Sequence, residues 1–249
     1  NSSKNVNDYE VDTIYFGGGT PSYIESKFIV EILNEIRDNY NVLENAEITL
    51  EINPGTVNKE KLIAYKEAGF NRLSIGLQST HDRLLELIGR IHNYEQFLKT
   101  YNLLEEFGFE NINIDLMLGL PNQTIEDLKE SLEKIVTLNP THISVYSLIV
   151  EEGTVIEKLL EEGKLELPDE DQERRMYWYV KNFLELKGYI HYEISNFAKK
   201  GKESKHNINC WNQEQYIGIG VAAHSYMDNV RYSNTSNLEQ YISSIKAGN

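Results

Sequence analysis

Along the first 150 residues, short runs in which apolar and polar residues alternate are separated by longer runs in which apolar residues return every third or fourth position. The alternating runs are "EITLEI" (47–52), "RLSIGLQ" (72–78), "NINIDLM" (111–117) and "HISVYSLIV" (142–150), with the two-residue period of a strand. The others, "FIVEILNEI" (28–36), "YEQFLKTYNLLEEF" (94–107) and "IEDLKESLEKIVTL" (125–138), have the period of a helix with one buried face. With "DTIYF" (12–16) leading, a β-branched strand precedes each helical segment at a spacing of about thirty residues, that of a βαβ unit. Such alternation predicts parallel strands joined by right-handed crossovers. Gly69 and Gly108 stand where helices should stop, each just before the next strand.

The expected order is five βα units over 1–150, followed over 151–249 by an acidic helical stretch, the aromatic helix "RRMYWYVKNFLELKG" and a tail containing Gly and Asn. Parity within the strands is more informative than their number. A parallel strand covered on both faces usually reads as a near-continuous apolar run, yet four of these five alternate. Thr49, Glu51 and Asn53 share one face, as do Ser74, Gly76 and Gln78, Asn113 and Asp115, and Ser144 and Tyr146. Ile48, Leu50, Ile52, Leu73, Ile75, Leu77, Ile112, Ile114, Ile143 and Val145 point the other way and are expected to pack on helices. A half-exposed antiparallel sheet would alternate too, but helices between all the strands argue against it. The expectation is a curved or barrel-like sheet whose polar concave face contacts a ligand near the strand C-termini.

Composition narrows the ligand. With 249 residues, 40% of them hydrophobic, the chain can bury one substantial α/β core. A net charge of −15 argues against nucleic acid, which requires clustered Lys and Arg. The basic "KKGKESK" (199–205) reads as a solvated loop. A single cysteine, Cys210, excludes an internal disulfide framework and any all-cysteine metal site within this chain. No apolar run reaches the roughly 20 residues that span a bilayer, and the start has no signal-peptide character, so a cytoplasmic protein is expected. The missing initiator Met suggests a trimmed chain or a fragment.

Candidate chemistry begins at "IYFGGGTPS" (14–22), where a strand gives way to a helix. Neither G-x-x-x-x-G-K-[ST] nor G-x-G-x-x-G is present, so a nucleotide phosphate loop is not expected. Three glycines still let backbone come close to a ligand, while Thr20 can cap and Pro21 can enter the first turn of the next helix. A plain βα turn would need only one glycine. Glu51, Gln78 and Asp115 stand at or near strand C-terminal ends on the polar parity. A carboxylate can hold an ammonium group, and a carboxylate with an amide can hold vicinal ribose hydroxyls, which together describe a receptor for an amino-acid-bearing nucleoside. Arg90 could supply the fork for a carboxylate, though standing alone it would be read as a surface arginine.

"YFGGGTPS", "LEINPGT", "RLSIGLQS" with Arg90 downstream, "NIDLMLGLPNQT" and "HISVYSLIVEEGT" resemble, in order and over nearly the whole chain, the radical S-adenosylmethionine barrel of the oxygen-independent coproporphyrinogen III oxidase group. The resemblance implies an α/β fold, a partial (β/α)6-type barrel with an α/β extension. It implies that Gly18, Gly19 and Thr20 contact the methionyl part of S-adenosylmethionine, that Glu51 and Arg90 hold its amino and carboxylate groups, that Gln78 and Asp115 hold the ribose hydroxyls, and that Ile149 lies near the adenine. "GYIHYEISNFA" (188–198), "HNINCW" (206–211) and "YIGIGVAAHS" (216–225) resemble the HemW branch of haem chaperones, which implies haem or a porphyrin as ligand and a haem-acceptor protein as partner, any membrane association coming only through that acceptor.

In that branch the usual pattern is H-N-x-x-Y-W, so His206, Asn207 and Trp211 match while Cys210 replaces the tyrosine. A neutral imidazole suits haem iron and an indole suits a porphyrin face. Alternatively His206 and Trp211 fasten the tail, a task His224 and Tyr216 could share. Cys210 is expected as a buried small residue rather than an additional soft ligand. The family also carries C-x-x-x-C-x-x-C for a [4Fe–4S] cluster, which this chain lacks, and the chain is expected to start after that loop, to stop before a C-terminal domain and to be inactive alone. A decarboxylating oxidase, and a non-radical barrel that binds another small molecule, are the competing expectations.

Overall fold

The alternating and helical patterns become strands and helices in their predicted order. The computed structural model describes residues 9–248. In it the chain runs through β1 (Glu10–Phe16), α1 (Ser26–Asn39), β2 (Asn41–Ile52), α2 (Lys59–Ala68), β3 (Arg72–Gln78), α3 (Asp82–Leu87), α4 (Tyr94–Glu106), β4 (Ile112–Leu118), α5 (Ile125–Thr137) and β5 (His142–Ser147). It continues through α6 (Val155–Glu161), α7 (Glu170–Leu186), β6 (Ile190–His191), β7 (Asn196–Ala198), α8 (Lys205–Trp211), β8 (His224–Met227), β9 (Val230–Ser233) and α9 (Leu238–Lys246).

Local chemistry fixes the helix ends. The Asn58 side chain accepts from Lys61 N at the start of α2, and Gly69 closes that helix at φ 92°. Gly108, just past α4, is also left-handed, at φ 73°. Reciprocal capping boxes open α4 (Asn93 with Gln96), α5 (Thr124 with Asp127) and α7 (Asp169 with Gln172). Thr20 departs from expectation. Pro21 does enter a first turn, the short 3-10 turn Pro21–Tyr23, but Thr20 makes no side-chain cap bond there. Its hydroxyl accepts from Asn53 Nδ2 at 2.8 Å instead.

Strands β1 to β7 form a seven-stranded sheet in the order β1-β2-β3-β4-β5-β7-β6, and β8 pairs with β9 in a second sheet. β2, β3, β4 and β5 are mutually parallel, as the alternation predicts. β7 joins antiparallel to β5 and to β6, an ending not foreseen from the pattern. The sheet and its intervening helices make a partial (β/α) barrel. The expected apolar face is buried: Leu50, Leu73, Ile75, Leu77, Ile114 and Ile143 have no exposed surface. Helix residues such as Leu62, Leu104, Leu132 and Leu184 are fully buried as well. Each such side chain contributes about 1.5–3 kcal/mol.

The described chain divides into two units: residues 9–14, 34–47 and 204–248 form one, and Tyr15–Leu33 with Ile48–Glu203 the other. The second holds β3–β7 and α2–α7. The first holds α8, the β8–β9 hairpin and α9.

Candidate functional site

The strand register decides which polar side chains meet. Within the larger unit, Glu51 pairs with Ser74, Ser74 with Asn113, Gly76 with Asp115, and Asp115 with Ser144. Side chains of one parity on neighbouring strands share a face, so the polar set is brought onto one side of the sheet. There it lines a cleft of about 280 Å³ walled by Tyr15, Gly19, Thr20, Glu51, Ile52, Asn53, Ser74, Gly76, Gln78, Arg90, Asp115 and Tyr146. Six of the eight residues expected at the cofactor are therefore in one wall.

Each of the glycines at the mouth has its own reason to be one. A Cβ on Gly17 would lie 2.6 Å from the Tyr15 ring and 3.0 Å from Glu51 Oε1. Gly18 and Gly19 have φ of 80° and 66°, open to glycine without strain. That backbone turn aims Gly18 N at Glu51 Oε2, 3.1 Å away, while Tyr15 Oη donates to Glu51 Oε1 at 2.7 Å. Burial, and the Glu51 charge beside it, push the Tyr15 hydroxyl far above its ordinary value, so it keeps the proton it donates to Glu51. Across the cleft a Cβ on Gly76 would sit 2.8 Å from Asn53 Oδ1. Gln78, where the β3–β4 register shifts, takes φ 75°, a strained left-handed conformation for a residue with a side chain.

Charge in the cleft is concentrated and opposed. Burial, then the neighbouring Glu51, hold the Asp115 carboxyl above the usual range, against hydrogen bonds from Asn113 and Ser74 and the charge of Arg72. Arg90 Nη1 donates to Asn53 Oδ1 at 3.4 Å, and burial draws its value down while Asp115 opposes that. Two carboxylates and a guanidinium at one mouth suit a ligand that carries both signs of charge.

The other expected residues are not in the cleft wall. Gly18 N donates to Glu51, which is in that wall. Ile149 is 75% exposed, beyond the end of β5, and is not in the cleft wall. His206, Asn207 and Trp211 share α8. The Ser204 side chain caps α8, and Glu47 accepts from Ser204 Oγ, Lys205 N and His206 N at 3.0–3.2 Å. His206 Nδ1 lies 3.1 Å from Thr13 Oγ1, and Asn209 Nδ2 donates to Asp12. Trp211 is 58% exposed. Cys210 is exposed rather than buried: on a seven-residue helix it falls one turn from His206, and its Sγ lies 3.9 Å from His206 Nε2. Sequence reasoning missed Tyr15 as a wall residue, because "DTIYF" does not alternate; Asn53 and Tyr146 were on the polar parity without being singled out.

The comparisons with known proteins bear on this cleft. The family model of the Radical SAM superfamily matches residues 3–135. The chain belongs to the radical SAM superfamily. Within that superfamily its likeness is to the HemW branch: it is 43% identical over 236 residues to the heme chaperone HemW of Bacillus subtilis, covering 94% of this chain and 62% of that protein. To HemW of Escherichia coli it is 39% identical over 215 residues, 86% of this chain and 56% of that one. This radical SAM chain thus spans about three fifths of the length of the relatives it matches. Among solved structures it is similar to the Escherichia coli coproporphyrinogen III oxidase HemN, with a TM-score of 0.82 and 26% identity, over 99% of this chain and 60% of that one. Among the described residues no helix is long and apolar enough to cross a membrane.

Proposed function

We propose that this chain is the barrel core of a haem chaperone that binds S-adenosylmethionine in the cleft and carries haem for delivery to an acceptor protein. Glu51 would hold the amino group and Arg90 the carboxylate, Gln78 and Asp115 the ribose hydroxyls, with Gly18, Gly19 and Thr20 against the methionyl part and Ile149 toward the adenine. The chemistry of the wall fits that cofactor: carboxylates for an ammonium group and hydroxyl donors, a guanidinium for a carboxylate, and glycine backbone where it must come close. In this superfamily the bound cofactor supplies radical chemistry; the residues here bind and orient it. A [4Fe–4S] cluster belongs to the reading of the complete protein, but this chain does not fit it. It has one cysteine, and among the described residues no group of three or more His, Cys, Asp or Glu could hold a metal ion. A cytoplasmic location, a barrel over 1–150 and a separate extension over 151–249 belong to the same proposal.

The observation that carries the chaperone reading is the 36–43% identity to proteins named heme chaperone HemW, over nine tenths or so of this chain. His206 would serve the iron through Nε2, because Thr13 engages Nδ1 and fixes the ring. The second reading, an oxygen-independent coproporphyrinogen III oxidase, is favoured by the likeness to HemN, at lower identity. An anaerobic haem titration of the complete protein beside His206→Ala tests the choice. Saturable binding whose Soret band depends on His206 is the expected result. Absent binding, together with decarboxylation of coproporphyrinogen III, would replace the chaperone reading by the oxidase.

A further inference from the structure

"GYIHYEISNFA" includes Tyr192, to which cofactor binding gives no task, yet Tyr192 starts an unbroken line of hydrogen bonds that ends in the cleft wall. Tyr192 Oη lies 2.8 Å from His142 Nε2, and His142 Nδ1 lies 2.5 Å from Asn113 Oδ1. Asn113 Nδ2 lies 2.7 Å from both Asp115 Oδ1 and Ser74 Oγ, and Ser74 Oγ lies 3.1 Å from Asp115 Oδ2. His142, Asn113 and Ser74 are all buried, at 0–3% exposure. In such surroundings an unsatisfied polar group is costly, so the line is satisfied as a whole or not at all.

Its far end fixes the direction of every bond. A carboxylate only accepts, so Asn113 turns its amide nitrogen, and Ser74 its hydroxyl hydrogen, toward Asp115. The amide oxygen then faces Ser144 Oγ, which donates to it at 3.1 Å, and His142. His142 must therefore carry its proton on Nδ1, which leaves Nε2 to accept from Tyr192. Turning the amide over would set its oxygen against a carboxylate oxygen 2.7 Å away. Burial, with Arg72 adding to it, holds His142 well below its ordinary value, in the neutral form this polarity requires. Each Asp115 oxygen accepts one internal donor and keeps a second lone pair for a ligand hydroxyl.

We propose that Tyr192, His142 and Asn113 are positioning residues that hold Asp115 as an oriented carboxylate and so set how tightly the cleft takes the ribose hydroxyls of an adenosyl cofactor. The proposal rests on the reading of the cleft as an S-adenosylmethionine site. Around Asp115 stand Asn113 on its own strand, Ser74 and Arg72 from β3, Glu51 from β2, Tyr15 from β1, Tyr146 from β5 and Arg90 from the segment after α3. Burial and Glu51 favour the proton on Asp115; the line of donors and Arg72 oppose it. Weakening the line lets Asp115 take up its proton at higher pH, and a protonated Asp115 loses an acceptor for the ribose.

The test is equilibrium binding of S-adenosylmethionine, and of its analogue lacking both ribose hydroxyls, to the complete protein and its variants as pH is lowered from neutral. Asn113→Ala should weaken S-adenosylmethionine about tenfold or more and move the acid loss of binding to higher pH. Tyr192→Phe, a milder change that keeps the ring, should move both in the same direction by less. His142→Gln, whose amide can still donate to Asn113, should keep most of the affinity. The analogue should bind all of them alike. Equal loss for both ligands, or an acid limb that does not move in either Asn113→Ala or Tyr192→Phe, overturns the proposal while the cleft reading stands. A parent protein that does not bind S-adenosylmethionine overturns the cleft reading and the proposal with it.

Discussion

Asp115 in the middle of β4 and Asp127 in the first turn of α5 are two aspartates whose surroundings shift them in opposite directions. Burial acts to raise both. At Asp127 it is outweighed: Arg83 Nη2 donates to Oδ2 at 2.5 Å, and Thr124 N and Oγ1 donate to the same oxygen at 2.8 Å each, so its value falls below the usual range. At Asp115 burial and Glu51 outweigh the donors, and the value rises. The charge of Asp127 is consumed by the fold, as helix cap and ion-pair partner. The charge of Asp115 is kept against its surroundings, which is how a carboxylate stays available to a ligand.

The sharpest break between the two is substitution by asparagine. Asp115→Asn should lower S-adenosylmethionine affinity in the complete protein about ten- to a hundredfold, the loss expected for charged hydrogen bonds. Its thermal midpoint should move little, because relief of a buried charge offsets the mismatched donors. Calorimetric titration beside a melting curve reads both, and a large fall in melting temperature with unchanged affinity would reverse the assignment of roles.

Asp127→Asn should do the opposite, costing about 2 kcal/mol of stability as a cap and a charged partner are lost, with cofactor affinity unchanged. The pH dependence separates them further. Asp127 has a folded value below its unfolded one, so its contribution is present above the ordinary carboxylate value of about 3.9 and is lost as pH falls through the lowered one. Asp115 has a raised folded value, so its charged form opposes folding and protonation on acidification relieves that. Urea midpoints followed into acid should show the gap between parent and Asp127→Asn closing. A gap that stays constant would mean that Arg83 and Thr124 do not hold the charge.

The sequence made the Asp115 side of this comparison legible and the α8 side much less so. Parity works because a strand offers two faces: once helices are known to cover one, Glu51, Ser74, Gly76, Gln78 and Asp115 must share the other, and they do. The glycines were legible for the same kind of reason, since two of the three need φ values that other residues avoid. Tyr15, on the one strand that does not alternate, was hidden. The antiparallel return through β7 rests on three residues, too few for a period. "HNINCW" offers one apolar pair at helical spacing, Ile208 and Trp211, too short to read as a period, and distant groups hold α8. Glu47 reaches Lys205 N across 158 positions of chain and Asp12 reaches Asn209 across 197. Propensity cannot anticipate such partners, and Cys210, expected inside, is consequently outside.

Glu47 is a third carboxylate against which the comparison can be tested, and the smallest effect is expected there. It accepts three donors at the N-terminus of α8, Lys205 N and His206 N at 3.0 Å and Ser204 Oγ at 3.2 Å, and is thus a fold carboxylate like Asp127. Glu47→Gln keeps the shape but removes the charge that suits a helix N-terminus and one of the two accepting oxygens, so about 1 kcal/mol should be lost. The loss should be local. Amide exchange over 206–211 should quicken severalfold while the strands β3 and β4 remain protected, and S-adenosylmethionine should bind as before. Because the same carboxylate holds the backbone of His206, haem affinity in the complete protein should fall a few fold alongside. Faster exchange with unchanged haem binding would separate the order of α8 from its proposed role and leave His206 as a fastening of the chain.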